Sequence, residues 1–227
     1  MTVVVVVVGL CVRWFSQTRL AARAASCPND VHELFCALRL YAADHDGLVP
    51  PLSAVRGNIT VDPDGFYPHY LSNSCWVQCE YSPIRQGSDD KDADLGLAGF
   101  NDDSFFYLPW EMRDEEEALA FITAYRTLDL SRCDDDLTVE IDGESRVLPR
   151  VGLSREVMTQ GREDGAPYVP IIVEWPNHAH IKGTVYYSNG FRRLMDVGEA
   201  FPMTERILAG LREIASLDKP VPEWKIR

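Results

Sequence analysis

Apolar and polar positions change their rhythm several times along the chain. Val3 to Val8 is an unbroken valine run, extended by Gly9-Leu-Cys-Val12 and closed by Arg13. From Val31 the period becomes helical: Val31, Leu34, Phe35, Leu38, Tyr41 and Ala42 recur at steps of three and four and form one apolar stripe. Asn29 or Asp30 is placed to cap this helix, Pro28 suits its N-terminal end, and Gly47 supplies the left-handed residue that ends it. Cys36 and Leu40 fall on the opposite side, so cover is expected on two faces. A second helix opens at Asp114, whose capping box is completed by Glu117, and carries Ala118, Phe121, Ile122, Tyr125 and Leu128 on one stripe. A third runs from about Thr204 to Leu217, with Ile207, Leu208, Leu211, Ile214 and Ala215 inward.

Between the helices the period falls to that of strands. Leu137–Ile141 and Arg146–Leu148 flank Asp142-Gly143 and predict a hairpin. Gly183–Tyr187 and Phe191–Leu194 flank Ser188-Asn189-Gly190, and Asn-Gly suits a tight turn. The apolar run from Tyr168 to Glu174 predicts a central strand. Residues 48–109 are rich in Pro, Gly, Asn and Asp; they predict loops, short strands and a brief helix near Tyr67–Leu71, with an acidic, solvated loop from Gly87 to Gly99. The expected fold class is α+β with an antiparallel sheet. The expected organisation is an apolar anchor and Arg/Ala-rich connector over 1–26, one domain over 27–218 and a tail over 219–227.

Three structures compete for the N-terminal run: a buried strand, favoured by valine's β-propensity; a signal peptide, which lacks a basic segment ahead of it; and a short membrane-anchor helix. The anchor is the preferred reading. Trp14 and Phe15 extend the run as interfacial aromatics, Arg13, Arg19 and Arg23 suit a membrane surface, and a lone apolar segment in lipid must satisfy its own backbone.

Composition adds limits. The net charge of −13 argues against a nucleic-acid surface, which needs a basic patch. The six cysteines are Cys11, Cys27, Cys36, Cys75, Cys79 and Cys133. Cys75-x-x-x-Cys79, with His69 nearby, has no matching second pair to complete a zinc site. Glu174, His178 and His180 form a metal-binding trio only if they lie on one strand, and Pro176-Asn177 points to a turn. Asp44-His-Asp-Gly47 and Asp62-Pro-Asp-Gly65 lack the distal glutamate of a calcium loop, so a helix terminus and a turn are the simpler readings. No nucleophile elbow, phosphate loop or His-Glu-x-x-His pattern is present, and no metal or cofactor is expected. A thiol- or metal-dependent hydrolase and a binding module outside the cytoplasm remain the alternative functions.

Two stretches at opposite ends of the chain resemble prepilin-type proteins related to the type II secretion pseudopilins. The first is Arg19-Leu-Ala-Ala-Arg-Ala-Ala-Ser-Cys27, followed by the helix and Leu40-Tyr41-Ala-Ala-Asp44-His-Asp46-Gly47-Leu-Val-Pro50. The second is Ile171-Ile-Val-Glu174, His178 or His180, Gly183, Val185, Asn189-Gly190 and Phe201-Pro202. Asn189 stands where the family usually has aspartate, Phe191 where it has histidine, and the N-terminus is atypical. The resemblance implies a long N-terminal helix packed on an antiparallel sheet, an exported domain anchored in the membrane, and assembly with other pilin-like subunits or secretion machinery. It implies a non-catalytic role, periplasmic or at the cell surface. It also adds weight to a disulfide joining Cys27 or Cys36 to Cys75 or Cys79.

Overall fold

The first helical stripe folds as its period predicts. In the computed structural model, which describes residues 31–78, 96–102, 104–153, 168–174, 182–215 and 217, helix α1 occupies 31–44. Val31, Leu34, Phe35, Leu38 and Ala42 are buried along it. Its other side is not covered as expected: Cys36 is half-buried and Leu40 is 59% exposed. The valine run, the connector and the expected caps of α1 lie outside the described residues, so the helix is seen only from residue 31 and no longer N-terminal helix is shown.

The sheet onto which α1 packs is antiparallel and four-stranded. It comprises β1 (Phe105–Tyr107), β4 (Pro170–Glu174), β5 (Lys182–Tyr187) and β6 (Arg192–Asp196), in the order β1-β4-β5-β6. β4 is central and buried along its length, which explains its unbroken apolar run. Register sets the faces. Phe105 and Tyr107 pair with Glu174 and Ile172, and Ile172 pairs with Tyr186, so these residues share one face. Phe35 of α1 meets Tyr186 there, with ring centroids 5.7 Å apart. Phe106, Val173, Val185, Gly183 and Met195 take the other face.

A second unit is built on helix α2 (Glu115–Tyr125). Asp114, in extended backbone, accepts the Glu117 N–H at 2.9 Å. Glu117 reaches back to the N–H of Arg113, one residue before the cap, at 2.8 Å. The capping box is therefore closed one residue earlier than the pattern predicts. α2 packs on the two-stranded hairpin β2 (Leu137–Ile141) and β3 (Glu144–Leu148), and on helix α3 (Glu205–Ala215). Gly210 of α3 lets the two helices close: a Cβ there would stand 2.9 Å from Ile122 Cδ1.

Both expected hairpins form, but the tight turn lies at Asp142-Gly143 and not at Asn189-Gly190. Asp142 and Gly143 both have positive φ, 52° and 81°, and Ile141 pairs directly with Glu144. That is the two-residue turn with both central residues left-handed. At the Asn-Gly site only Gly190 is left-handed, at φ 81°. Tyr187 C=O accepts the Gly190 N–H and Tyr187 N–H donates to Phe191 C=O, both at 2.9 Å. Ser188-Asn189-Gly190 is thus a three-residue loop with a glycine bulge, stabilised by the Asn189 side chain, which accepts the Phe191 N–H at 2.9 Å. The helix expected near Tyr67–Leu71 is instead a run of turns. Phe66 and Tyr67 both donate to Pro63 C=O, and Pro68 has no N–H to continue a helical ladder.

Candidate functional site

The motif residues gather at two joints, one at each end of the sequence resemblance. The first is the C-terminus of α1. Gly47 N–H returns to Ala42 C=O at 2.8 Å, and Asp46 before it is left-handed at φ 53°. The left-handed cap is therefore Asp46, one residue before the expected Gly47, and Gly47 follows with φ 81°. A short polar side chain tolerates that conformation better than most. His45 turns its ring back so that Nδ1 donates to Tyr41 C=O at 2.8 Å, and the ring stacks on Tyr41 at 3.7 Å. Tyr70 meets Tyr41 edge-on at 5.2 Å and donates its hydroxyl to Asp44 at 3.1 Å. Tyr41, Asp44 and His45 thus tie the helix end to the 63–70 turns.

Beyond the cap the chain is clamped by side chains that no local pattern singles out. Tyr107, fully buried in β1, donates its hydroxyl to Pro50 C=O at 2.6 Å. Burial holds the Tyr107 phenol well above its ordinary pKa, so it remains a donor. Arg150, also buried, donates through Nη1 to Cys133 C=O at 2.8 Å and through Nη2 to Val49 C=O. Its backbone N–H reaches Asp136 at 2.8 Å, while its Nε is buried without a hydrogen-bond partner. One guanidinium thereby joins the segment after α1 to the turn before β2. No local signal marks Arg150 for this task, because Val49 lies 101 residues away in sequence.

The second joint lies between β4 and β5. Glu174 is buried and accepts the Thr184 N–H at 2.9 Å. Burial raises its pKa, and the hydrogen bonding with Thr184 offsets only part of that rise. Gly183 is dictated by space: a Cβ would stand 2.6 Å from Glu174 C=O and 2.7 Å from Met203 Cε. Asn189 and Gly190 shape the loop described above. Pro202, buried, follows Phe201 in the turns that precede α3. His178 and His180 lie outside the described residues, so Glu174 is the member of the expected trio with a described position.

The cysteines are described only in part. Cys27 and Cys79 lie outside the described residues, and Cys75 falls in a short 3₁₀ turn, Ser74–Val77. Cys36 is a free thiol, and the alternative bridge from Cys27 lies outside the described residues. The Cys36 sulfur lies 3.7 Å from His32 Nε2, one turn back on the same helix. The pair has the residue types of a thiol nucleophile and its base. However, burial first and Glu33 second push the Cys36 thiol up, away from thiolate. Cys133 is free and buried, with a pKa pushed up to about 11 by desolvation. At both positions burial disfavours the thiolate.

Among the described residues no three His, Cys, Asp or Glu side chains are grouped so as to hold a metal ion. No described helix is long and apolar enough to cross a membrane. At the two joints side chains bind backbone: His45 at the end of α1, Tyr107 and Arg150 just beyond it, and Glu174 between β4 and β5. No family model matches the chain, and neither does any curated protein or solved structure.

Proposed function

We propose that the chain is a non-catalytic structural subunit, pilin-like or pseudopilin-like, of a type II secretion or type IV pilus-like assembly. Its domain would be exported and held at the membrane by the N-terminal segment. The observation that carries this reading is the placement of α1 on the antiparallel sheet through Phe35 and Tyr186, with motif residues at the end of α1 and between the two central strands. A subunit of this kind needs a rigid body on one end of a helix, and the side chains at both joints serve rigidity. Its partners would be other pilin-like subunits or secretion machinery.

The test uses the full chain and a version lacking residues 1–26, both produced in a bacterium that carries such a system. The full chain is expected to float with membranes and to cross-link to pilin-like subunits in the cell. The shortened chain is expected to be released and to melt within about 2 °C of the full chain, less than about 1 kcal/mol would shift a protein of this size. If the deletion unfolds the domain, the valines belong to its core and the reading falls. It falls as well if the full chain leaves the membrane fraction and cross-links to nothing of that class.

A further inference from the structure

His32 and Cys36 stand one turn apart on α1, at positions i and i+4, which share one face of a helix. His32 is exposed and Cys36 half-buried, so this face is open to solvent on one side and backed by the domain on the other. The imidazole Nε2 and the Cys36 sulfur are 3.7 Å apart, and the thiol is free. Leu34, Phe35 and Leu38, buried in the same turns, anchor this part of the helix, and Phe35 is held against Tyr186. The core therefore fixes the backbone that carries the two donors.

An imidazole nitrogen with a thiolate sulfur is a donor pair of zinc-class ions. Zinc bonds sulfur at about 2.3 Å and imidazole nitrogen at about 2.0–2.1 Å, and at the tetrahedral angle those two ligand atoms stand about 3.6 Å apart. The observed 3.7 Å matches that spacing, so an ion can bridge the pair without moving the helix. The neighbouring charges agree. After burial, the largest influence raising the Cys36 pKa is the Glu33 carboxylate, ahead of the opposing effect of Arg39. A carboxylate that disfavours an anion at this sulfur favours a cation beside it. No third His, Cys, Asp or Glu is grouped with the pair as a ligand among the described residues.

We propose that His32 and Cys36 form a two-ligand site on the open face of α1 for a thiophilic divalent cation of the zinc class, with water in the remaining positions. Binding forms one metal–sulfur and one metal–nitrogen bond. The S–H bond breaks, its proton passes to water, and no oxidation state changes. Hard ions such as Mg²⁺, which take oxygen ligands, are not accepted. With two protein ligands where structural zinc sites have four, the ion is held loosely and exchanges with solvent. The site needs only α1 and is independent of the pilin-like reading, which could fail while this stands.

The experiment measures alkylation of Cys36 in the full, reduced chain, followed by mass spectrometry of the peptide that carries it, so that other thiols do not enter the readout. At a Kd of about 10 μM, roughly 100 μM Zn²⁺ leaves about one site in eleven empty, and alkylation of Cys36 is expected to slow about tenfold. The same concentration of Mg²⁺ is expected to leave it unchanged. His32→Ala, a change on the surface, is expected to keep the melting temperature and to cut the zinc protection to less than about twofold. The reciprocal measurement follows the His32 ring protons by NMR: zinc is expected to shift them in the unchanged chain and not in Cys36→Ser. Cys36 alkylated equally fast with and without zinc overturns the proposal. So does protection that survives His32→Ala undiminished, or that Mg²⁺ reproduces. If His32→Ala fails to fold, the His32 ring signals decide, and signals unmoved by zinc, or moved equally in Cys36→Ser, overturn it.

Discussion

Gly183→Ala tests the tightest point in the sheet. The added methyl would meet Glu174 C=O at 2.6 Å and Met203 Cε at 2.7 Å. Both approaches are closer than a carbon tolerates, but the two neighbours differ. Met203 is the end of a flexible side chain and can swing, although it is fully buried. The carbonyl belongs to the central strand and can withdraw only if β4 shifts from β5. Overpacking of this kind costs about 1–3 kcal/mol. Replacing glycine returns about 0.4–1 kcal/mol by restricting the unfolded chain, since the backbone at 183 is not left-handed. The net loss should be about 1–2 kcal/mol, a fall of roughly 2–8 °C in melting temperature for a protein of this size. Urea unfolding followed by far-UV circular dichroism would measure it, with a lower midpoint and an unchanged slope. A cycle with Met203→Ala separates the two contacts. If the methionine carries the clash, the two losses will sum to less than their parts; if the carbonyl does, they will add. A Gly183→Ala protein as stable as the parent would refute the close approach and leave the glycine without a structural reason.

Glu174→Gln keeps an acceptor for the Thr184 N–H and removes the buried carboxylate. Because burial raises the folded pKa above the ordinary 4.5, the fold holds this proton more tightly than the unfolded chain does. The resulting stability is fully present below about 4.5 and is lost as pH rises through the raised value, so the substitution should stabilise by on the order of 1 kcal/mol at pH 7 and by little at pH 4. Parallel stability–pH curves for the two proteins would count against the buried carboxylate. Arg56→Lys addresses the C-terminus of α2. The guanidinium caps the end of α2 by donating to Tyr125, Arg126 and Leu128 carbonyls at 2.7, 3.0 and 2.7 Å. One ammonium cannot hold that fork, and a loss of about 1–2 kcal/mol is expected, with faster amide exchange in the last turn of α2. Equal stability and exchange would show that the fork is not held in solution.

Wherever a signal was local, the chain could be read. The stripes of α1, α2 and α3 and the two hairpins follow from period and turn residues lying a few positions apart. Where Asp46 rather than Gly47 takes the left-handed cap, and where Asn-Gly forms a bulged loop, the residue types were right and the geometry was set by neighbours: the Ala42 carbonyl in one case, the Tyr187–Phe191 closure in the other. Long-range features were hidden. Nothing near Arg150 announces Val49, nothing near Gly183 announces Met203, and nothing near β1 announces β4. Period also failed for Leu40, which fits a second apolar face and is exposed. A pattern states what a residue would bury, while the presence of something to bury it against depends on the rest of the fold. Of the candidate site, Glu174, Gly183 and the α1 terminus could be picked out as positions, but their task as fasteners of backbone became visible only with Tyr70, Tyr107, Arg150 and Thr184 in place.

The order β1-β4-β5-β6 bears on how this protein is made. β1 ends at Tyr107, and its partner β4 begins only at Pro170. Phe35 must wait for Tyr186, and 186 − 35 leaves 151 residues of synthesis between them. While the chain grows from its N-terminus, the buried stripe of α1 has no sheet to lie on. Contacts this distant in sequence form slowly and leave apolar surface open to the wrong partners. A holding chaperone, or a route that delays folding until the C-terminal third has emerged, would match that timetable, and in any product truncated before residue 170 both α1 and the edge strand β1 would lack the strands they pack on, while α2 and its hairpin would lack α3.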